Sequence, residues 1–159
     1  ALQRFNAGLS QQTRSTFLPH GFDEITVANY IERSSQDIDR AYVVLGEEEV
    51  IGYFFLWNTK EPPAVLGIGI TDAYQDQGLG TQMMEILIED AKAIGLEGIE
   101  LTTVLDNERA FGLYRKMGFR YLYDVDNVGG DGRVVRERAM FLPLQVGAKP
   151  QLRKFGPPV

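Results

Sequence analysis

Gln75-Asp76-Gln77-Gly78-Leu79-Gly80 lies between an apolar run, Val65-Leu66-Gly67-Ile68-Gly69-Ile70, and an amphipathic stretch from Leu79 to Ile94. A strand, a tight glycine turn and a helix start in that order make a seat for an anion. The N–H groups of the turn converge, and the helix N-terminus adds positive potential. Gly78 and Gly80 carry no Cβ, so phosphate oxygens can approach the main chain. Gln77, Gly78, Leu79, Gly80 and Thr81 can each present an N–H there, worth more to a charged acceptor than to a neutral one.

A second group follows in Asn107-Glu108-Arg109-Ala110-Phe111-Gly112-Leu113-Tyr114-Arg115-Lys116-Met117-Gly118-Phe119. Asp106 or Asn107 can cap a helix here, and Gly118 is the expected terminating glycine, with Phe119 placed for the accompanying apolar contact. Asn107 and Tyr114 are seven residues apart, nearly two turns. They share one helix face about 10 Å apart along the axis. An amide and a phenol so placed can touch two points of one extended ligand.

At these residues the chain resembles the GNAT N-acetyltransferase superfamily. Gln75, Gly78 and Gly80 match its Gln/Arg-x-x-Gly-x-Gly/Ala motif. Asn107, Ala110, Leu113, Tyr114, Lys116, Gly118 and Phe119 match its later helix motif at every named position. The resemblance is strict over roughly residues 64 to 120. It implies a twisted, mixed, mostly antiparallel sheet flanked by helices, whose fourth and fifth strands run parallel and splay apart. Acetyl-coenzyme A would bind in that wedge, its pyrophosphate on Gln75, Asp76, Gln77, Gly78, Leu79, Gly80 and Thr81. Its pantetheine would pair with the main chain of Ile68 and Ile70, which lie two apart and so point the same way. Asn107 would bond the pantetheine arm, alongside or instead of capping its helix.

The reaction so implied is attack of a neutral amine on the thioester carbonyl. Tyr114 is the matching general acid, because a phenol of ordinary pKa near ~10 keeps its proton at neutral pH. The alternative for Tyr114 is a core tyrosine that packs its helix on the sheet. Several GNAT enzymes carry a base glutamate on the fourth strand, and none stands between Val65 and Ile70. Asp72, His20 or a water remain for that role. Asp72 reads first as a turn carboxylate and His20 as an exposed loop ring.

The elements that must hold these groups are legible from pattern. Ser10 can cap a helix beginning near Leu9, and Asp23 to Ser34 has helical spacing. Ala41–Leu45 and Val50–Trp57 form a hairpin around Gly46, rich in β-branched and aromatic residues. The rings of Tyr53-Phe54-Phe55-Leu56-Trp57 read as core. Leu79, Met83, Leu87, Ala91 and Ile94 line one stripe of the central helix, closed by Gly95. Strands follow over Gly98 to Val104, Tyr121 to Val125 and Val134 to Leu142, and the charges from Arg133 to Arg138 read as a solvated strand face. The fold class is α/β (α+β). Residues 1–146 form one domain, and Gly147 to Val159 form an extended or disordered tail. A family-type first strand is expected to be missing or trimmed, because only Ala1 to Phe5 precede the Leu9 region.

Length and composition bound the function. The chain has 159 residues, 44 % apolar, with formal net charge −6 and no cysteine. That suits one core and excludes disulfides, thiolate metal sites and an acyl-cysteine. Its longest apolar run is too short for a membrane span, no secretory signal pattern stands out, and the acidity disfavours nucleic acid. A cytoplasmic enzyme without a metal is expected, acting with acetyl-CoA on an unidentified amine, with a homodimer left open. Two other classes compete. One is a non-catalytic acyl-CoA-binding sensor on the same fold. The other is a dinucleotide dehydrogenase, for which the three-glycine fingerprint and the ribose-binding acid are lacking.

Overall fold

The structure is a computed structural model describing residues 1–151 and 157–158. Three helices come first: α1 (Leu2–Gly8), α2 (Gln11–Thr16) and α3 (Glu24–Ser35). The Ser10 hydroxyl accepts from Thr13 N–H, the cap anticipated from sequence, and the Asp23 carboxylate accepts from Thr26 N–H to cap the next helix. Residues 2–8, which the sequence reading left unassigned ahead of Leu9, are helical; Phe5 and Leu9 anchor this segment in the core.

The remaining elements are β1 (Arg40–Leu45), β2 (Val50–Trp57), β3 (Ala64–Ile70), a 3-10 turn (Asp72–Tyr74), α4 (Leu79–Ala93), β4 (Gly98–Val104), α5 (Glu108–Lys116), β5 (Arg120–Val128) and β6 (Val134–Pro143). They build one six-stranded sheet in the order β1-β2-β3-β4-β6-β5. All neighbours are antiparallel except β3 and β4. These two correspond to the splayed pair expected from the resemblance. Their parallel register holds only at Ala64↔Ile99 and Val65↔Glu100, and beyond it they part.

Alternation along the strands divides the core between the two faces of the sheet. Leu56, Leu66, Leu101 and Met140 pack with Met84 and Leu87 of α4 on one face. Tyr53, Phe55 and Trp57 meet Phe5, Phe17 and Tyr30 on the other. The five residues from Tyr53 to Trp57 are all buried, in keeping with the core reading. The buried stripe of α4 is Met83, Met84, Leu87, Ile88 and Ala91, whereas Ile94 lies at the C-cap and is exposed.

The glycines of β3 have a packing cause. A Cβ on Gly67 would stand 2.2 Å from the Phe55 ring, and one on Gly69 would stand 2.5 Å from Phe17. Aromatic rings therefore lie flat on this strand. The tail expected from sequence is described at residues 147–151 and 157–158, and the rest of it lies outside the described residues.

Candidate active site

Where β3 and β4 separate, a cavity of about 550 Å³ opens, walled by both strands, the end of α2 with the loop after it, α5 and the β5–β6 hairpin. The phase of β3 fixes which main-chain groups face it. Thr71 N–H donates to the Ile51 carbonyl at 2.9 Å, towards β2. Gly69 and Gly67 share that direction by alternation, so the N–H and C=O groups of Ile68 and Ile70 point away from β2 into the gap. In agreement, the Ile70 carbonyl accepts from Gln75 Nε2 at 3.0 Å across that gap.

One end of the cavity is the turn before α4. Gly78 is the N-cap residue with φ 81, and no side chain caps the helix. The first N–H groups of α4, at Leu79, Gly80 and Thr81, have no acceptor within the helix. The two glycines serve different ends. A Cβ on Gly78 would meet nothing within 4 Å, but its φ disfavours an L side chain; a Cβ on Gly80 would press Leu113 Cδ2 at 3.2 Å. Gly80 is therefore small to let α5 approach, and only Gly78 needs glycine for its backbone.

The side chains of this turn are largely committed to holding it. Gln75 Nε2 also reaches Thr13 Oγ1 at 3.2 Å, and Gln75 Oε1 accepts from Arg109 at 2.9 Å. Arg109 pairs with Asp76 at 3.1 Å. Gln77 Nε2 folds back on the Ala73 carbonyl at 3.0 Å. The main-chain donors are what remains for an anion, with the exposed Arg109 guanidinium beside them. Sequence reading did not single out Arg109; its place two residues inside the α5 cap was the available signal.

α5 supplies the other two expected residues. Asn107 Oδ1 accepts from Ala110 N–H at 3.2 Å, so the residue caps its helix while bordering the cavity. Its Nδ2 end is not used by the cap. Tyr114 is 6 % exposed, belongs to the α4-side core, and packs against Phe119 with ring centroids 6.0 Å apart. It also lines the cavity. Burial first, and then the Glu137 charge, push its phenol well above the usual value. The two readings of Tyr114 are compatible: its ring is core and it also borders the wedge.

Neither proposed base has a free, accessible lone pair of suitable basicity. Asp72 accepts from Ser10 N–H at 3.0 Å, Ser10 Oγ at 2.6 Å and Thr13 Oγ1 at 2.7 Å. Those bonds, the Ser10 hydroxyl foremost, pull it down to about 2 and tie the 3-10 turn to the start of α2. His20 corrects the sequence expectation: it is 2 % exposed rather than a surface ring. It stacks on Tyr30 at 4.1 Å, with Nδ1 2.6 Å from the Gly21 carbonyl and Nε2 3.0 Å from the Tyr53 hydroxyl. A carbonyl can only accept, so Nδ1 carries the proton and Nε2 receives the Tyr53 O–H. Burial holds the ring's pKa down.

The run from Arg133 to Arg138 also departs from expectation. Arg136 and Arg138 do serve one face, pairing with Asp126 at 3.1 Å and Glu108 at 2.7 Å. Glu137 points to the other face and lines the cavity. Its Oε1 accepts from Asn127 Nδ2 at 2.9 Å, and Thr102 bonds it from β4. Burial raises its pKa above the ordinary carboxylate range, against the opposing effect of those two bonds. Asn127 is 8 % exposed, and its Oδ1 is buried without a hydrogen-bond partner among the described residues. Strand alternation within Arg136-Glu137-Arg138 was the signal for this inward turn. Among the described residues, no three His, Asp or Glu gather as a metal site, and no helix is long and apolar enough to cross a membrane.

Comparison with known proteins agrees with this geometry. The profile of the Acetyltransferase (GNAT) family matches residues 5–119. YvbK, an uncharacterized N-acetyltransferase of Bacillus subtilis, is 30 % identical over 95 residues, which is 59 % of this chain and 58 % of that protein. The chain thus aligns with less than two thirds of that relative's length. Among solved structures, spermidine N-acetyltransferase of Vibrio cholerae, in complex with CoA and spermine, superposes with TM-score 0.70 at 19 % identity, over 89 % of this chain and 87 % of that one. A putative acetyltransferase of Salmonella typhimurium with its cofactor acetyl-CoA gives 0.63 at 22 % identity, over 79 % and 75 %.

Proposed function

Because this chain belongs to the acetyltransferase (GNAT) family, we propose that it transfers an acetyl group from acetyl-coenzyme A to a primary amine. The amine attacks the thioester carbonyl directly, and Tyr114 protonates the departing sulfur. The observation that carries this reading is the parted β3–β4 wedge, with an uncapped helix N-terminus at one end and the Tyr114 ring in its wall.

The residues present fit the cosubstrate. The N–H groups of Leu79, Gly80 and Thr81, which have no acceptor within the helix, suit a pyrophosphate, and the open space at Gly78 lets it approach the main chain. The Ile68 and Ile70 main-chain groups suit an extended amide arm, to which Asn107 Nδ2 adds a donor. When bound, the thioester supplies the activated acetyl group. This chain's residues align it and exclude water with the apolar walls of β3. Tyr114 keeps its proton at neutral pH because its buried phenoxide is disfavoured, so it meets the departing sulfur as a proton donor. Relatives of the same fold captured with acetyl-CoA or with CoA support a ligand of this class.

The test pairs calorimetric titration of acetyl-coenzyme A with thiol release across a panel of primary amines. A thiol reagent reads only released coenzyme A, since the chain contains no cysteine. Binding together with amine-dependent thiol release is expected. Tight binding with no release from any amine would replace the enzyme with a binding module.

A further inference from the structure

The wedge contains a polar cluster outside the residues assigned above to the cosubstrate. Glu137 of β6, Asn127 of β5 and Thr102 of β4 meet on the sheet face opposite α4 and α5, and all three border the cavity. The Asn127 amide is oriented by its donation to Glu137 Oε1 at 2.9 Å. That leaves its Oδ1 as an acceptor, in a residue 8 % exposed and with no donor among the described residues to meet it. A buried acceptor so placed is unfavourable unless a donor satisfies it. A carboxylate and an orphaned carbonyl oxygen side by side call for a ligand rich in N–H donors and positively charged. A primary ammonium, with three N–H donors, is that group.

The surroundings define the rest of the ligand. The segment from Gln12 to Pro19 contributes no charged side chain to the cavity wall. It brings Phe17 over Gly69 and Leu18 against Gly129. Val135, two residues from Glu137 along β6, continues the apolar wall. An ammonium on an apolar body fits this combination better than a polycation, whose further charges would face hydrocarbon.

We infer that Glu137 is the residue that takes the proton from the incoming amine, and that with Asn127 Oδ1 it seats a primary ammonium carried on an apolar body. The inference rests on the N-acetyltransferase reading. An ammonium N–H gives its proton to a Glu137 carboxylate oxygen. The freed lone pair forms the N–C bond to the acetyl carbonyl carbon, and the C–S bond breaks. The sulfur takes the Tyr114 proton, a second proton lost from the nitrogen replaces it, and Glu137 passes the first to water.

The environment of Glu137 supports proton acceptance. Tyr114 of α5 borders the same cavity and its phenol feels the Glu137 charge, neutral Thr102 lies beside Glu137 on β4 with buried Glu100 two residues further along the same face, and neutral Asn127 lies on β5. Arg136 and Arg138 are turned to the other face, paired with Asp126 and Glu108. With no cation among the described residues against it, burial raises the carboxyl above its ordinary value, the direction that suits a base.

The experiment compares wild type with Glu137→Gln, which keeps size and the acceptor for Asn127. Two isosteric probes are used at neutral pH: 2-phenylethylamine, which is an ammonium, and O-benzylhydroxylamine, which is already neutral. Glu137→Gln should bind acetyl-coenzyme A as wild type does, which also verifies its fold. Its kcat/KM for 2-phenylethylamine should fall by roughly 10²–10³-fold, as for a lost general base, while that for O-benzylhydroxylamine changes little. An equal loss with both probes, or no loss with either, overturns the role.

Binding is read separately, by titrating 2-phenylethylamine into the coenzyme A-saturated protein. Wild type should bind, and Glu137→Gln should bind at least tenfold more weakly. Equal affinity, or no binding to wild type, removes the seat. Absence of thiol release from every amine, alongside Glu137-dependent binding, would instead sink the transferase reading and the proton-accepting step, and leave the ammonium seat standing.

Discussion

Replacing Tyr114 by Phe removes one oxygen from a residue whose ring is core. The packing against Phe119 at 6.0 Å survives, and among the described residues no side chain bonds the hydroxyl. Stability should therefore change by less than about 1 kcal/mol, and the coenzyme A affinity should hardly move. Turnover should fall by roughly 10²–10⁴-fold, or about 3–5 kcal/mol of barrier. The phenol is raised by burial and by the Glu137 charge, so it stays protonated throughout the neutral range. Wild-type turnover should thus show no loss assignable to Tyr114 as pH rises to ~10, its ordinary value. The assay is thiol release under saturating acetyl-coenzyme A, repeated with acyl donors whose leaving thiol is more acidic. Those donors need the proton less, so the deficit should shrink with them. Near-normal turnover of a folded Tyr114→Phe protein, or a deficit insensitive to the leaving thiol, would refute the proton transfer.

Asn107→Ala should weaken coenzyme A binding by on the order of 1 kcal/mol and lower helix stability by ~0.5–2 kcal/mol; a lower thermal midpoint with unchanged affinity would leave only the cap. Gly78→Ala should cost about 1–2 kcal/mol from its φ of 81 alone, whereas Gly80→Val should unseat Leu113 and shift the α5 resonances in an NMR spectrum. Identical spectra for Gly80→Val and wild type would contradict the close approach. His20 is held neutral by burial, so below its ordinary pKa of ~6.5 the unfolded chain takes up a proton that the folded chain refuses. Stability should fall as pH drops through that value, and the fall should be absent in His20→Gln; equal pH slopes for the two proteins would dismiss the buried neutral ring.

Local chemistry by itself determined the outline of this protein. A glycine turn can sit only where a left-handed residue and bare N–H groups are wanted. The caps Ser10 and Asn107 and the terminating Gly95 and Gly118 act through neighbours only a few residues away, so pattern revealed them and the helices they bound. The near-continuous apolar and aromatic run of β2 is likewise the pattern of a strand buried on both faces. What lies between elements was not legible in that way. Whether β3 and β4 stay paired depends on hydrogen bonds between residues about 35 apart, and these stop after Val65. His20 is buried because Tyr30, Tyr53 and Trp57, far along the chain, close around it. Asp72 is spent on Ser10 and Thr13, some sixty positions earlier. Alternation could say that Glu137 faces away from its two arginine neighbours, but not that its side of the sheet is the cavity. That was decided by the packing of α5 against Arg138 and by the wedge opening on the opposite face, where a buried carboxyl meets Asn127 and Thr102.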